Sequence, residues 1–171
     1  MNLAHILIVA GYETTANMLA NSVITLFRHP DQLAVLRSRL ELVPGAVEEL
    51  LRFSRLGPAF PRVATADVEI DGVPVPGGET VFPLHFPANR DPRACPEPDR
   101  LDVTRTDVQH LSFGVGPHFC LGAPLARLEL QEALAGLLRR FPGLERAVPE
   151  SELRWRSGLA VRGVEALPVR W

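Results

Sequence analysis

The stretch His110 to Gly122, HLSFGVGPHFCLG, constrains this 171-residue chain more than any other. Three glycines and a proline within it bar both a regular helix and a central strand. Directly after it, Pro124 to Arg140 carries Leu125, Leu128, Leu134, Leu137 and Leu138 and reads as a helix. The chain must therefore build a tight, glycine-shaped loop that runs straight into a helix N-terminus. Cys120, one of only two cysteines, lies in that loop.

A cysteine so placed has a chemical use. Unpaired N–H groups and the positive dipole end of the following helix favour thiolate over thiol. Phe113 and Phe119 are expected to wall the sulfur off from water, and Gly114, Gly116 and Gly122 to let the backbone turn and approach closely. The pattern predicts a deprotonated cysteine in a dry pocket, suited to holding a metal. No second Cys or His stands at zinc-finger spacing, which disfavours zinc. A Cys–His hydrolase is weaker, because His118 is only two residues away and is expected to point elsewhere. Cys95 has none of this setting and reads as a small buried hydrophobe.

The rest of the chain alternates texture. Leu3 to Phe27 reads as one long helix ended by Arg28, His29 and Pro30. Asp31 to Leu40 reads as a second helix, and a third opens at Pro44 and Gly45 and runs to about Ser54. From Arg62 to Phe82 come short β-like runs (RVAT, VEI, VPV, TVF), with Asp71-Gly72 as a hairpin turn. Prolines at 83, 87, 92, 96 and 98 make Pro83 to Arg105 an ordered, meandering coil. The tail, through Trp155, Leu159, Val161 and Leu167-Pro168-Val169, reads as short strands. The run from Leu3 to Gly11 is apolar nearly all round, as if the chain opened inside a buried helix, so a partial domain spanning 1–171 and lacking an N-terminal part is expected. Polar Tyr12 to Thr15 cut that run short of a membrane span.

Composition closes off other classes. Apolar residues are 46% and charged residues 22%, and the formal charge is −2. That balance argues against nucleic acid or an anionic membrane as the main partner. Two cysteines in unlike contexts make no disulfide framework, so a reducing, cytoplasmic setting is the default.

Residues 113 to 127, FGVGPHFCLGAPLAR, resemble the haem-ligand signature of the cytochrome P450 superfamily, in the form found in soluble bacterial members. The resemblance implies a mainly α fold with small β-sheets, the C-terminal part of the P450 fold from the I-helix onward. It implies Cys120 as axial thiolate of haem b (iron protoporphyrin IX), with His118 and Arg62 on the haem propionates and Phe113 and Gly122 lining the cofactor. Glu49 and Arg52 match the family's ExxR pair, and Arg100 its meander arginine, as a structural network. Ala10 to Thr15, AGYETT, resembles the oxygen-activation motif, with Glu13 and Thr14 delivering protons. The implied activity is monooxygenation of a small apolar substrate with O2 and electrons from a ferredoxin or similar donor. The rival readings are a truncated, non-catalytic remnant that binds haem weakly or not at all, and a thiolate-haem sensor that would not need Glu13 and Thr14.

Overall fold

A computed structural model describes residues 3–57, 61–157 and 161–171. Helix α1 spans Leu3–Arg28, α2 Pro30–Ser38 and α3 Val43–Phe53, with a single turn of 3-10 helix at Leu40–Leu42 before α3. Prolines set two of these starts: Pro30 and Pro44 sit in first turns, where a missing N–H costs nothing. His29 separates α1 from α2, and its Nδ1 lies 2.8 Å from the Thr25 carbonyl in the last turn of α1. Helix α1 is continuous through Gly11, and Thr14 Oγ1 donates back to the Ala10 carbonyl at 2.6 Å.

The proline-rich middle forms two-stranded antiparallel pairs. Strand β1 (Arg62–Val63) pairs with β4 (Thr80–Val81), and β2 (Val68–Ile70) with β3 (Val73–Val75). Asp71 and Gly72 join β2 to β3 with φ of 51° and 79°, the doubly left-handed geometry of a type I′ turn. The coil that follows contains one short helix the sequence did not announce, α4 at His85–Ala88. After the cysteine loop comes α5, Ala123–Arg140, with Arg139 and Arg140 at its dipole-favoured end. In the tail, β5 (Glu145–Arg146) pairs with β6 (Val169–Arg170), and Trp155 makes an isolated bridge to Val164. Val161 is not in a strand, and Leu159 lies outside the described residues.

The core gathers α1, α2, α3 and α5 around Leu26, Leu36, Leu50, Leu101, Leu134 and Leu138. Leu125 and Leu128 do not join it. They are 58% and 55% exposed, and the buried stripe of α5 is Ala123, Leu130, Leu134 and Leu138. No described helix is long and apolar enough to cross a membrane.

Candidate functional site

The cysteine loop is shaped by its own backbone. Gly114 and Gly116 adopt φ of 74° and 72°, a region that strains any residue with a side chain. Gly116–His118 forms one 3-10 turn, closed by Phe119 N–H on the Gly116 carbonyl at 2.9 Å. The Cys120 N–H donates to the Phe113 carbonyl at 2.9 Å, and the Cys120 carbonyl accepts from Ala123 N–H at 3.2 Å. Gly122 needs no left-handed turn, since its φ is −82°. A Cβ added there would instead stand 3.9 Å from the Cys120 sulfur. Its smallness therefore keeps one flank of the sulfur open.

Cys120 is exposed, whereas Cys95 is buried. Among the described residues, no hydrogen bond or ion pair holds the side chains of Cys120, His118 or Arg62. Phe113 is half-buried and meets Phe119 edge-on at 6.4 Å between ring centroids. Val115, Phe119 and Leu121 are exposed around the cysteine. The described residues include no cluster of three or more His, Cys, Asp or Glu able to hold a metal ion. One open sulfur in apolar surroundings does not make a zinc cage. It does fit an iron that arrives with its other ligands in a macrocycle.

Helix α3 carries a buried ion pair. Glu49 and Arg52 are fully buried and bond through two contacts, Nε to Oε2 at 2.7 Å and Nη2 to Oε1 at 2.8 Å. Arg52 also donates to the carbonyls of Asn89 (3.0 Å), Pro98 (2.8 Å) and Arg100 (3.4 Å). Burial disfavours the Arg52 charge, but the Glu49 hydrogen bonds and charge outweigh it and hold the guanidinium above its ordinary pKa. The arginine expected to complete this network was Arg100, and here the structure differs. Arg100 contributes only its carbonyl. Its exposed guanidinium turns to Glu97 at 3.1 Å and Asp102 at 3.8 Å. The side chain that approaches Glu49 is Arg105, with Nε 3.5 Å from Oε1. Spacing along a coil could not tell which of two nearby arginines turns inward.

Sequence reasoning also passed over Glu48, His110, Arg127 and the side-chain role of Asn89. Arg127 forks onto Glu48 at 2.8 and 3.0 Å, and His110 Nε2 lies 3.1 Å from the same carboxylate. Burial pushes the Glu48 carboxyl up, but hydrogen bonds from His110 and Arg127, with their charges, prevail and lower it to about 2. Asn89, buried, donates to Ser112 Oγ at 3.0 Å and accepts the Leu111 N–H at 2.7 Å. The one available signal was the adjacency of Glu48 to Glu49, two acids on a helix that carries a single arginine. Glu13 and Thr14 lie together on α1, Glu13 facing Arg156 at 3.4 Å with both side chains well exposed.

The sequence profile of the family described as Cytochrome P450 matches residues 32–161. The chain belongs to the cytochrome P450 family. It is 47% identical to the cytochrome P450 monooxygenase PikC of Streptomyces venezuelae, over all of this chain and 41% of that protein. It is 50% identical to the mycinamicin IV hydroxylase/epoxidase of Micromonospora griseorubida, over all of this chain and 44% of that one. Among solved structures, the LnmA cytochrome P450 hydroxylase of Streptomyces atroolivaceus S-140 superposes with a TM-score of 0.91 at 53% identity, covering 96% of this chain and 43% of its own. The mixed-function P450 MycG superposes with 0.95 at 50% identity, covering 99% and 44%. The fold is thus mainly α with small sheets, part of the P450 fold. The P450 chain described here spans about two-fifths of the length of these curated relatives.

Proposed function

We propose that this chain is the haem-binding part of a bacterial haem-thiolate monooxygenase. The observation that carries the reading is the Cys120 loop: an open sulfur, glycine turns at 114 and 116, and a helix that begins at Ala123. In this reading Cys120 would hold the haem iron through its sulfur. Arg62 and His118, whose side chains have no partner among the described residues, bind the haem propionates. Phe113, Phe119 and Gly122 shape the cofactor's apolar bed. Glu13 and Thr14 hold and pass protons, the hydroxyl parked on the Ala10 carbonyl until it is needed. When bound, haem b supplies the activation of dioxygen and the transfer of one oxygen atom.

The reaction takes O2, two electrons from a ferredoxin or similar donor, and two protons. It leaves one oxygen atom in a small apolar substrate and the other in water. The family likeness to bacterial members supports a ferredoxin-like donor and a cytoplasmic setting in this reading. Nucleic acid and membrane play no part in this reading.

The test is the absorption spectrum of this chain expressed with haem, then reduced and exposed to carbon monoxide. The expected result is a far red-shifted Soret band that disappears in Cys120→Ala. A chain that takes up no haem, or that shows a band unchanged by Cys120→Ala, favours the non-catalytic remnant instead. A sensor is separated by exchanging Glu13 and Thr14: unchanged turnover would favour it.

A further inference from the structure

Glu48 and Glu49 are neighbours on α3, yet they serve different partners. Glu49 closes the buried pair with Arg52, while Glu48 reaches the approach to the cysteine loop. Its carboxylate accepts Arg127 Nε at 2.8 Å on one oxygen and Arg127 Nη2 at 3.0 Å on the other. His110 Nε2 lies 3.1 Å from that second oxygen. The His110 Nδ1 accepts the Ser112 N–H at 3.2 Å, so the ring hydrogen is assigned to Nε2 and donates to Glu48.

Both partners converge on one aromatic ring. The Arg127 guanidinium carbon lies 4.6 Å from the Phe113 ring centroid, and the His110 ring is 5.8 Å from it. Cation–π contact of this kind needs the planar guanidinium held in place, which the fork onto Glu48 does. Phe113 in turn offers the carbonyl that accepts the Cys120 N–H. Asn89 secures the adjoining Leu111 and Ser112 from the other side.

We propose that Glu48 is a positioning residue for Cys120, gathering His110 and Arg127 against Phe113 and so fixing the carbonyl on which the Cys120 N–H rests. Residues that orient a metal-binding side chain from outside its contact shell govern how well the site holds its group. The local claim rests on this chain's own hydrogen bonds. Its consequence for haem rests on the function proposed above.

The experiment compares the chain with Glu48→Gln and with Glu150→Gln, which breaks the surface pairs to Arg28 and Arg146 and serves as a general stability control. Amide hydrogen exchange is followed in peptides covering 114–122 and, separately, the buried stripe of α5. In Glu48→Gln the Cys120 amide is expected to exchange roughly tenfold faster, as the loss of a charged hydrogen-bond set implies, while the α5 stripe is unchanged. In haem-loaded protein, the red-shifted carbon monoxide band is expected to shrink relative to total haem, and haem to be lost roughly tenfold faster. The control should show neither change.

Equal exchange at Cys120 in Glu48→Gln and Glu150→Gln would overturn the proposal. So would faster exchange spread evenly over the whole chain. If the parent chain takes up no haem, the proposed function fails for this chain, and the exchange arm alone decides the role of Glu48.

Discussion

At the scale of single residues, what distinguishes this chain is how it deals with buried charge. Glu49 and Arg52 have no exposure at all, and a pair taken wholly out of water returns little net stability by itself. Here the pair is also a junction. Arg52 satisfies three backbone carbonyls from the coil that follows α4, and Glu49 accepts the Asp102 N–H at 3.0 Å. Apolar replacements of matched volume, which can be neutral for an isolated pair, would orphan those backbone groups. Removing one charge is worse, because the other stays buried. Glu49→Gln is therefore expected to destabilise by about 3–5 kcal/mol, read from the urea midpoint. A midpoint equal to that of the parent chain would show that another anionic group or water compensates the Arg52 charge.

At the scale of elements, the C-terminal segment is fastened to α1 by contacts that allow no extra atom. Asn21 Nδ2 donates to the Arg162 carbonyl at 2.9 Å, and Arg162 N–H donates to the Leu56 carbonyl at 2.6 Å. A Cβ on Gly163 would overlap Asn17 Oδ1 and come within 3.3 Å of Asn17 Cβ. Asn17 is buried and bonded to the Glu13 carbonyl at 2.8 Å, so it has little room to retreat. Gly163→Ala is expected to cost about 1–3 kcal/mol, with part of that loss recovered in the double variant with Asn17→Ala. Additive losses in the two single variants and the double variant would mean that the segment yields elsewhere. The same contact shows what sequence could and could not tell. Helices α1, α2, α3 and α5 were legible because proline starts and leucine spacing act locally, and the β2–β3 turn because Asp71-Gly72 dictates its own geometry. The shape of the Cys120 loop was legible because consecutive residues dictate its glycine turns and the helix that follows. Gly163 against Asn17, Arg105 in place of Arg100, and the Glu48 cluster were not, because each depends on side chains from distant parts of the chain meeting in space. Leu125 and Leu128 marked α5 correctly as a helix, but helical spacing does not say which apolar residues meet the core.

At the scale of the whole molecule, exposed apolar surface is the dominant feature. Leu7, Ile8, Val9 and Tyr12 on α1 are 56%, 69%, 73% and 79% exposed, and Leu121 beside the cysteine is 85% exposed. Single exposed hydrophobes are common, but consecutive ones along a helix make a patch, and large patches drive association. A formal charge of −2 on 171 residues offers little repulsion to oppose it. The isolated chain is therefore expected to self-associate with rising concentration in sedimentation velocity. Replacing Ile8 and Leu121 with Gln should shift the distribution toward monomer without altering net charge. That choice matters, because charged replacements would add repulsion and could disperse the protein even if the patch were innocent. If the parent chain sediments as a single monomeric boundary over the same range, the patch does not bind itself, and the apolar residues around Cys120 are left to the cofactor bed of the proposed function.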